Sequence, residues 1–117
     1  MYRLEMISDG GQGGVFSLVA ETTMSVGRQG SNDIVLEDAS VSRSHCLIYV
    51  DLNKIEVEDL DSTNGVHVAG KPARGRTPVP TNEELRIGNL RFVLLESDQE
   101  VSTTQTYVSP SNPKPKQ

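Results

Sequence analysis

Residues 27–65 read GRQGSNDIVLEDASVSRSHCLIYVDLNKIEVEDLDSTNG and alternate polar clusters with apolar runs. The polar clusters occupy residues 27–33, 40–45 and 61–65. Each cluster adjoins an apolar run of the kind that forms a β-strand, and residues 54–58 alternate most cleanly, with Ile55 and Val57 predicted to face inward. The clusters are therefore predicted to be loops that meet at one end of a β-sandwich. Their guanidinium, hydroxyl and amide groups suit an anionic ligand.

The rest of the chain, up to residue 96, continues this pattern of short apolar runs separated by turn residues. Further strands are predicted at residues 2–7, 15–20, 24–27, 34–36, 45–51, 66–68, 85–87 and 90–96. Residues 69–72 are predicted to be a turn, and residues 73–80, which contain two prolines, a loop or an edge segment. Since no helical periodicity extends beyond about one turn, the sequence predicts an all-β sandwich or barrel.

Composition and charge narrow the classes of partner and compartment. The 117 residues carry a formal net charge of −5, and only 4% are aromatic, whereas nucleic-acid-binding surfaces are typically basic and rich in stacking rings. The single cysteine, Cys46, cannot form an internal disulfide, so nothing indicates an oxidising compartment. No apolar run approaches the roughly 20 residues of a membrane span, and no leader peptide is recognisable. We therefore expect a cytoplasmic protein that binds neither nucleic acid nor membrane.

The composition changes near residue 97, after which serine, threonine, proline and glutamine predominate. This change predicts one domain at residues 1–97 and a disordered tail at residues 98–117. Thr103, Thr104 and Thr106 lie in the tail and are candidate phosphorylation sites for a Ser/Thr kinase. The alternative interpretation is an inert linker.

The order and spacing of three motifs resemble the forkhead-associated (FHA) domain family. The motifs are Gly27-Arg28, Ser42 with His45 three residues later, and Thr63-Asn64-Gly65. Weaker matches surround them, and the resemblance covers about residues 2–96. It implies an FHA-type β-sandwich of about 11 strands that binds phosphothreonine peptides and has no catalytic activity of its own.

The resemblance also implies a role for each residue of the binding site. Arg28 would grip the phosphate, Ser42 would hold it through its hydroxyl and backbone, and Arg43 would add a further contact. Thr63 would help to hold the phosphothreonine, while the side chain of Asn64 would bond to the backbone of the bound peptide. These residue types suit the task, because arginine offers a planar fork to two phosphate oxygens and an amide offers a donor and an acceptor to a peptide bond.

Three residues would support the site without touching the ligand. Gly27 and Gly65 match positions where the backbone needs room, and His45 matches a residue that fixes the loops. Ser42 and His45 could instead suggest a nucleophile and its base, which would make the protein a small hydrolase. No acidic third member accompanies them in the sequence, so we predict that the protein is not an enzyme.

A calcium-binding loop is a second alternative, suggested by the spacing of Asp59, Asp61 and Thr63. An EF-hand loop needs glycine at its sixth position and glutamate at its twelfth, and Asn64 and Gly70 occupy those positions here. We therefore expect neither a metal nor a cofactor.

The expected partner is a phosphothreonine-containing protein or peptide, and hence a Ser/Thr protein kinase or its substrates. The alternative function is a phosphorylation-independent assembly module of a larger complex, although such relatives often lack the phosphate-binding residues that this chain retains. A phosphorylated tail would also allow head-to-tail self-association. Because the chain ends of the family emerge opposite the recognition loops, binding between molecules is favoured over binding within one.

Overall fold

The computed structural model describes residues 2–7, 14–96 and 106–108, and these residues form two β-sheets without a helix. The strands are β1 Tyr2–Ile7, β2 Val15–Leu18, β3 Thr22–Gly27, β4 Ile34–Glu37, β5 Cys46–Val50, β6 Ile55–Asp59, β7 Val66–Val68, β8 Lys71–Pro72, β9 Thr77–Pro78, β10 Glu84–Ile87, β11 Leu90–Glu96 and β12 Thr106–Val108. In the described part of the chain, no helix is long and apolar enough to cross a membrane. The predicted all-β fold is confirmed.

The two sheets differ in strand direction. The first has the order β2-β1-β11-β10-β7-β8 and is antiparallel throughout. The second has the order β12-β4-β3-β5-β6-β9, and β4 runs parallel to both of its neighbours, β3 and β12. As a result, β3 and β4 both terminate at the same end of the sandwich, where β5 begins. The polar clusters of residues 27–33, 40–45 and 61–65 lie at this end.

The core lies between the sheets and follows the alternation of the strands. Ile55 and Val57 are buried as predicted, and Cys46 on the neighbouring strand is completely buried. Phe16 and Phe92 from the first sheet meet edge to face, with ring centroids 5.9 Å apart. Burial raises the pKa of the Cys46 thiol far above its ordinary value, so Cys46 is a small apolar core residue rather than a reactive group.

Two short strands appear where only a turn and a loop or edge segment were predicted. Residues 69–72 contain a two-residue turn, in which Ala69 and Gly70 have φ values of 51° and 82°, followed by the edge strand β8. Two successive positive φ angles are typical of the tight hairpin turns that match the twist of flanking strands. Residues 77–78 form the edge strand β9 beside β6, in agreement with the predicted edge segment.

Within the predicted tail, the structure describes Thr106–Val108, and these three residues form β12. This strand pairs in parallel with β4, and Tyr107 packs against the hydrophobic core. Composition alone marked the tail as unable to form a core of its own. An edge strand with unpaired backbone groups can nevertheless recruit a short β-prone segment such as Thr-Tyr-Val. The rest of the predicted tail, including Thr103 and Thr104, lies outside the described residues.

Candidate functional site

Three loops meet at the end of the sandwich where β3 and β4 terminate. The first loop is residues 28–33, the second is residues 38–45 and the third is residues 60–65. Together they enclose a cleft of about 380 Å³, which is lined by Arg28, Ala39, Ser40, Val41, Ser42, Arg43, Thr63 and Asn64. All five side chains that were predicted to contact the ligand are therefore brought together in one cleft.

Arg28 stands at the end of β3 and is tied to the second loop by its backbone and by its side chain. Its backbone N–H donates to the Ser42 carbonyl at 2.9 Å, and its Nε donates to the Val41 carbonyl at 3.0 Å. Among the described residues, the two terminal Nη groups of Arg28 make no hydrogen bond, and the residue is exposed. The guanidinium group is thus oriented by the protein while two of its donor groups remain available.

Gly27 provides the close approach between the first and second loops. A Cβ atom at this position would lie 2.1 Å from the Arg43 carbonyl oxygen and 2.7 Å from Asn32 Nδ2. The same Nδ2 donates to the carbonyls of Gln29 and Arg43, each at 2.8 Å. Asn32 therefore ties the two loops together, a role that the sequence analysis did not assign to it.

His45 is completely buried and joins the second loop to the third. Its Nδ1 accepts from the backbone N–H of Ser42 at 2.9 Å, which places the ring proton on Nε2, 2.9 Å from the Gly65 carbonyl that accepts it. Both ring nitrogens are thus used by the backbone. Since no lone pair of His45 remains for the hydroxyl proton of Ser42, the two residues do not form a nucleophile and its base.

The third loop is shaped by its own hydrogen bonds and by the second loop. The Ser62 N–H donates to Asp59 Oδ1 at 3.1 Å, and the hydroxyl oxygen of Ser62 accepts the Gly65 N–H at 3.0 Å. The Thr63 N–H donates to the Ser42 hydroxyl oxygen at 3.1 Å. Gly65 has a φ of 80°, a conformation that favours glycine.

Asn64 is held by one of its two amide hydrogens. Its Nδ2 donates to the Ser40 carbonyl at 2.8 Å, while the described residues offer no hydrogen bond to its Oδ1. Asn64 is exposed at the cleft. The side chain therefore keeps an acceptor and one further N–H for a ligand.

Ser40 organises the site in a way that the sequence analysis missed. The residue is only 8% exposed. Its N–H donates to the Asp38 carboxylate at 2.9 Å, and its hydroxyl group donates to that carboxylate as well. The Oγ also accepts the Asn89 N–H at 2.8 Å. A Cβ at Gly88 would lie 2.6 Å from the Ser40 carbonyl oxygen. The turn between β10 and β11 is thereby locked against the second loop. The only sequence signal was that Asp-x-Ser after a strand favours such local bonds.

The cleft is electropositive in a chain whose net charge is −5. The described residues that line it contribute two cationic side chains, Arg28 and Arg43, and no carboxylate. Among the described residues, no group of three or more His, Cys, Asp and Glu side chains is placed to hold a metal ion. The arrangement can hold an anion through charge-assisted hydrogen bonds.

Comparison with known proteins agrees with this geometry. The family model described as the FHA domain matches residues 24–88. The chain is 33% identical over 97 residues to the oxoglutarate dehydrogenase inhibitor of Corynebacterium glutamicum. The aligned region covers 83% of this chain and 67% of that protein. The chain spans about two thirds of the length of the corynebacterial relatives that it matches.

Solved structures show the same fold. The FHA domain of the CT664 protein from Chlamydia trachomatis aligns with a TM-score of 0.77 and 31% identity, covering 82% of this chain and 97% of that chain. A structure from an analysis of phosphothreonine-dependent FHA domain interactions aligns with a TM-score of 0.73 and 26% identity, covering 84% of this chain and 98% of that chain. With a family model matching more than half of its length, this chain belongs to the FHA domain family.

Proposed function

We propose that this protein is a phosphothreonine-peptide binding module of Ser/Thr kinase signalling and that it catalyses no reaction. One observation carries the proposal. Within the described residues, Arg28 presents two Nη groups without a hydrogen bond to a cleft that contains Arg43 and no acidic side chain. A phosphothreonine carries about −1.5 to −2 charges and three acceptor oxygens near neutral pH, which matches these donors.

The phosphate would be bound jointly by the first and second loops. The Arg28 fork would donate to two phosphate oxygens, and Arg43 would add a third cationic contact. The Ser42 oxygen already accepts from the Thr63 N–H at 3.1 Å, so its own hydroxyl hydrogen remains for a phosphate oxygen. Since Arg28 and Ser42 are each held by a hydrogen bond to a neighbouring loop before the ligand arrives, these two side chains require little ordering on binding.

The peptide on either side of the phosphate would be read by the third loop. The Oδ1 and the second N–H of Asn64 would pair with a peptide backbone, and Thr63 would contact the phosphothreonine. A preference for phosphothreonine over phosphoserine would rest on burying one methyl group. This contributes about 1 kcal/mol, so we expect a preference of roughly fivefold.

The proposed partner is a phosphorylated protein, either a Ser/Thr kinase or one of its substrates, in the cytoplasm. The relative from Corynebacterium glutamicum is named as an inhibitor of an enzyme, which supports a protein rather than a small molecule as partner. We further propose that residues 1–97 are the binding domain and that residues 98–117 are a regulatory tail, of which Thr106–Val108 dock on β4.

A phosphopeptide array tests this function. We expect phosphothreonine peptides to bind, their phosphoserine counterparts to bind about fivefold more weakly, and the unphosphorylated peptides not to bind. The residue third after the phosphothreonine should be varied in the array, because it would identify the preferred partner. Equal binding of phosphorylated and unphosphorylated peptides would support the assembly module instead.

We also propose head-to-tail self-association through phosphorylated Thr103, Thr104 or Thr106. The described structure bears on Thr106, which is exposed but belongs to β12 and would have to leave β4 to enter a cleft. After phosphorylation by a Ser/Thr kinase, the mass in solution should increase with protein concentration, and Arg28→Ala should abolish the increase. A phosphorylated chain that stays monomeric at every concentration would refute this association.

A further inference from the structure

The strand β4 is supported unequally by its two neighbours. Its first half pairs with β3, at Ile34 and Val35. Its second half extends beyond that ladder, and within the described residues Leu36 and Glu37 have ladder partners only in β12, namely Tyr107 and Val108. The end of β4 is therefore held in the sheet by a three-residue strand.

The end of β4 leads directly into the second loop of the candidate site. The Leu36 carbonyl accepts the Asp38 N–H at 2.9 Å, and the Asp38 carboxylate holds the N–H and the hydroxyl of Ser40. The Ser40 carbonyl in turn accepts Asn64 Nδ2 at 2.8 Å. A displacement of Leu36 is thus transmitted through three hydrogen-bonded residues to a side chain that lines the cleft.

The two faces of β12 have different surroundings. Tyr107 pairs with the completely buried Leu36 and packs against the core, so it points inward. Thr106 and Val108 point to the outer face, where Thr106 is exposed and stands opposite Val35. On the same face, Glu37 is the diagonal neighbour of Thr106, which in ordinary sheet geometry is about 7–8 Å away.

We propose that β12 holds the second loop in place through β4. We further infer that Thr106 is a phosphorylation site, and that the charge of its phosphate detaches β12 from β4. The modification is a phosphoryl transfer from ATP by a Ser/Thr kinase. The Thr106 Oγ1 forms a bond to the γ-phosphorus, the bond to ADP breaks, and the hydroxyl proton is taken up by the kinase base. The effect on peptide affinity rests on the proposed function, whereas the release of β12 and its effect on the second loop do not.

A small electrostatic change is sufficient to detach β12 from β4, because β12 has only three residues. A three-residue strand lies at the lower limit of strand length, so few backbone hydrogen bonds hold β12 on β4. Like charges on neighbouring strands destabilise the pairing of those strands, and a phosphate on Thr106 would place nearly two charges diagonally across from Glu37, so we expect the docked population of β12 to fall at least about twofold. Tyr107 contributes the main apolar contact that keeps the strand in place.

The test compares full-length variants that differ in charge alone. Thr106→Glu places an acid beside Glu37, and Thr106→Gln has the same length without the charge. We expect Thr106→Glu to accelerate amide exchange at residues 35–37 at least twofold, to shift the NMR signals of Ser40 and of the Asn64 side-chain amide, and to weaken phosphothreonine-peptide binding by a similar factor. Thr106→Gln should resemble the unmodified chain in all three measurements.

A second pair of variants separates charge from packing. Adding Glu37→Gln to Thr106→Glu should restore slow exchange, because the repulsion is removed. Tyr107→Ala should release the strand without any charge and should produce the same shifts at Ser40 and Asn64. Unchanged exchange in Thr106→Glu would overturn the release of β12 by charge, and unchanged exchange in Tyr107→Ala would show that β12 does not hold the end of β4. Faster exchange with unchanged NMR signals of Ser40 and Asn64 would show that β12 does not hold the second loop in place. Neither result depends on whether a phosphopeptide binds.

Discussion

Replacement of Arg28 by alanine is expected to reduce the affinity for phosphothreonine peptides at least about 100-fold, without unfolding the domain. Each charge-assisted hydrogen bond contributes about 1.5–3 kcal/mol, and the guanidinium group would supply two of them to the phosphate. Arg28→Lys keeps the charge but loses the fork and the bond from Nε to the Val41 carbonyl, so it should recover only part of the loss. Calorimetric titration of one peptide against the three proteins gives the comparison.

Arg74→Ala is the matched control, because Arg74 is exposed, lies outside the cleft and changes the net charge by the same amount. We expect it to bind the peptide within about twofold of the unmodified chain. A similar loss for Arg28→Ala and Arg74→Ala would mean that overall charge, rather than the Arg28 fork, attracts the peptide.

The substitution Gly27→Ala is expected to impair both binding and stability. Its Cβ would meet the Arg43 carbonyl oxygen at 2.1 Å, and that oxygen belongs to backbone, which cannot move aside as a flexible side chain could. The first and second loops would have to separate, which would displace Arg28 and Arg43 relative to each other. We expect a loss of about 1–3 kcal/mol in the free energy of unfolding and at least a tenfold loss of phosphopeptide affinity.

Gly30→Ala tests the same chemical change three residues away, in the first loop, without the clash. A Cβ at Gly30 has no atom within 4 Å, and its φ is not in the left-handed region. This variant should therefore retain both its stability and its affinity. If Gly27→Ala behaved like Gly30→Ala in denaturation and in peptide titration, the close approach at Gly27 would not be needed for the site.

Most of the fold was predictable because each strand carries its own signal. Alternation marked β6, and short apolar runs between turn residues marked β4, β7 and β11, whose boundaries lie within one residue of those predicted. The strand β12 was not predictable in this way. Its three residues carry little signal alone, and their position depends on the unpaired edge of β4, which exists only once the sheet has formed.

The site was predictable in its parts but not in its connections. Arg28 and Asn64 were identified from the motifs, and the structure places both at one cleft. The roles of Ser40 and Asn32 depend on which backbone groups meet across different loops, and sequence spacing does not determine those contacts. His45 shows the same distinction, because its role in fixing the loops was predicted, whereas its two backbone partners, the Ser42 N–H and the Gly65 carbonyl, were not.

The central claim is that the cleft between the three loops binds phosphothreonine, and an NMR titration tests it most directly. One peptide is added to the isotope-labelled protein in its phosphothreonine and unphosphorylated forms. The account predicts that only the phosphorylated form shifts signals, and that the largest shifts are at Arg28 Nε, Ser42, Thr63 and the Asn64 side chain. Shifts caused equally by both forms, or shifts centred on the separate cleft beside Tyr49 and Arg76, would contradict it.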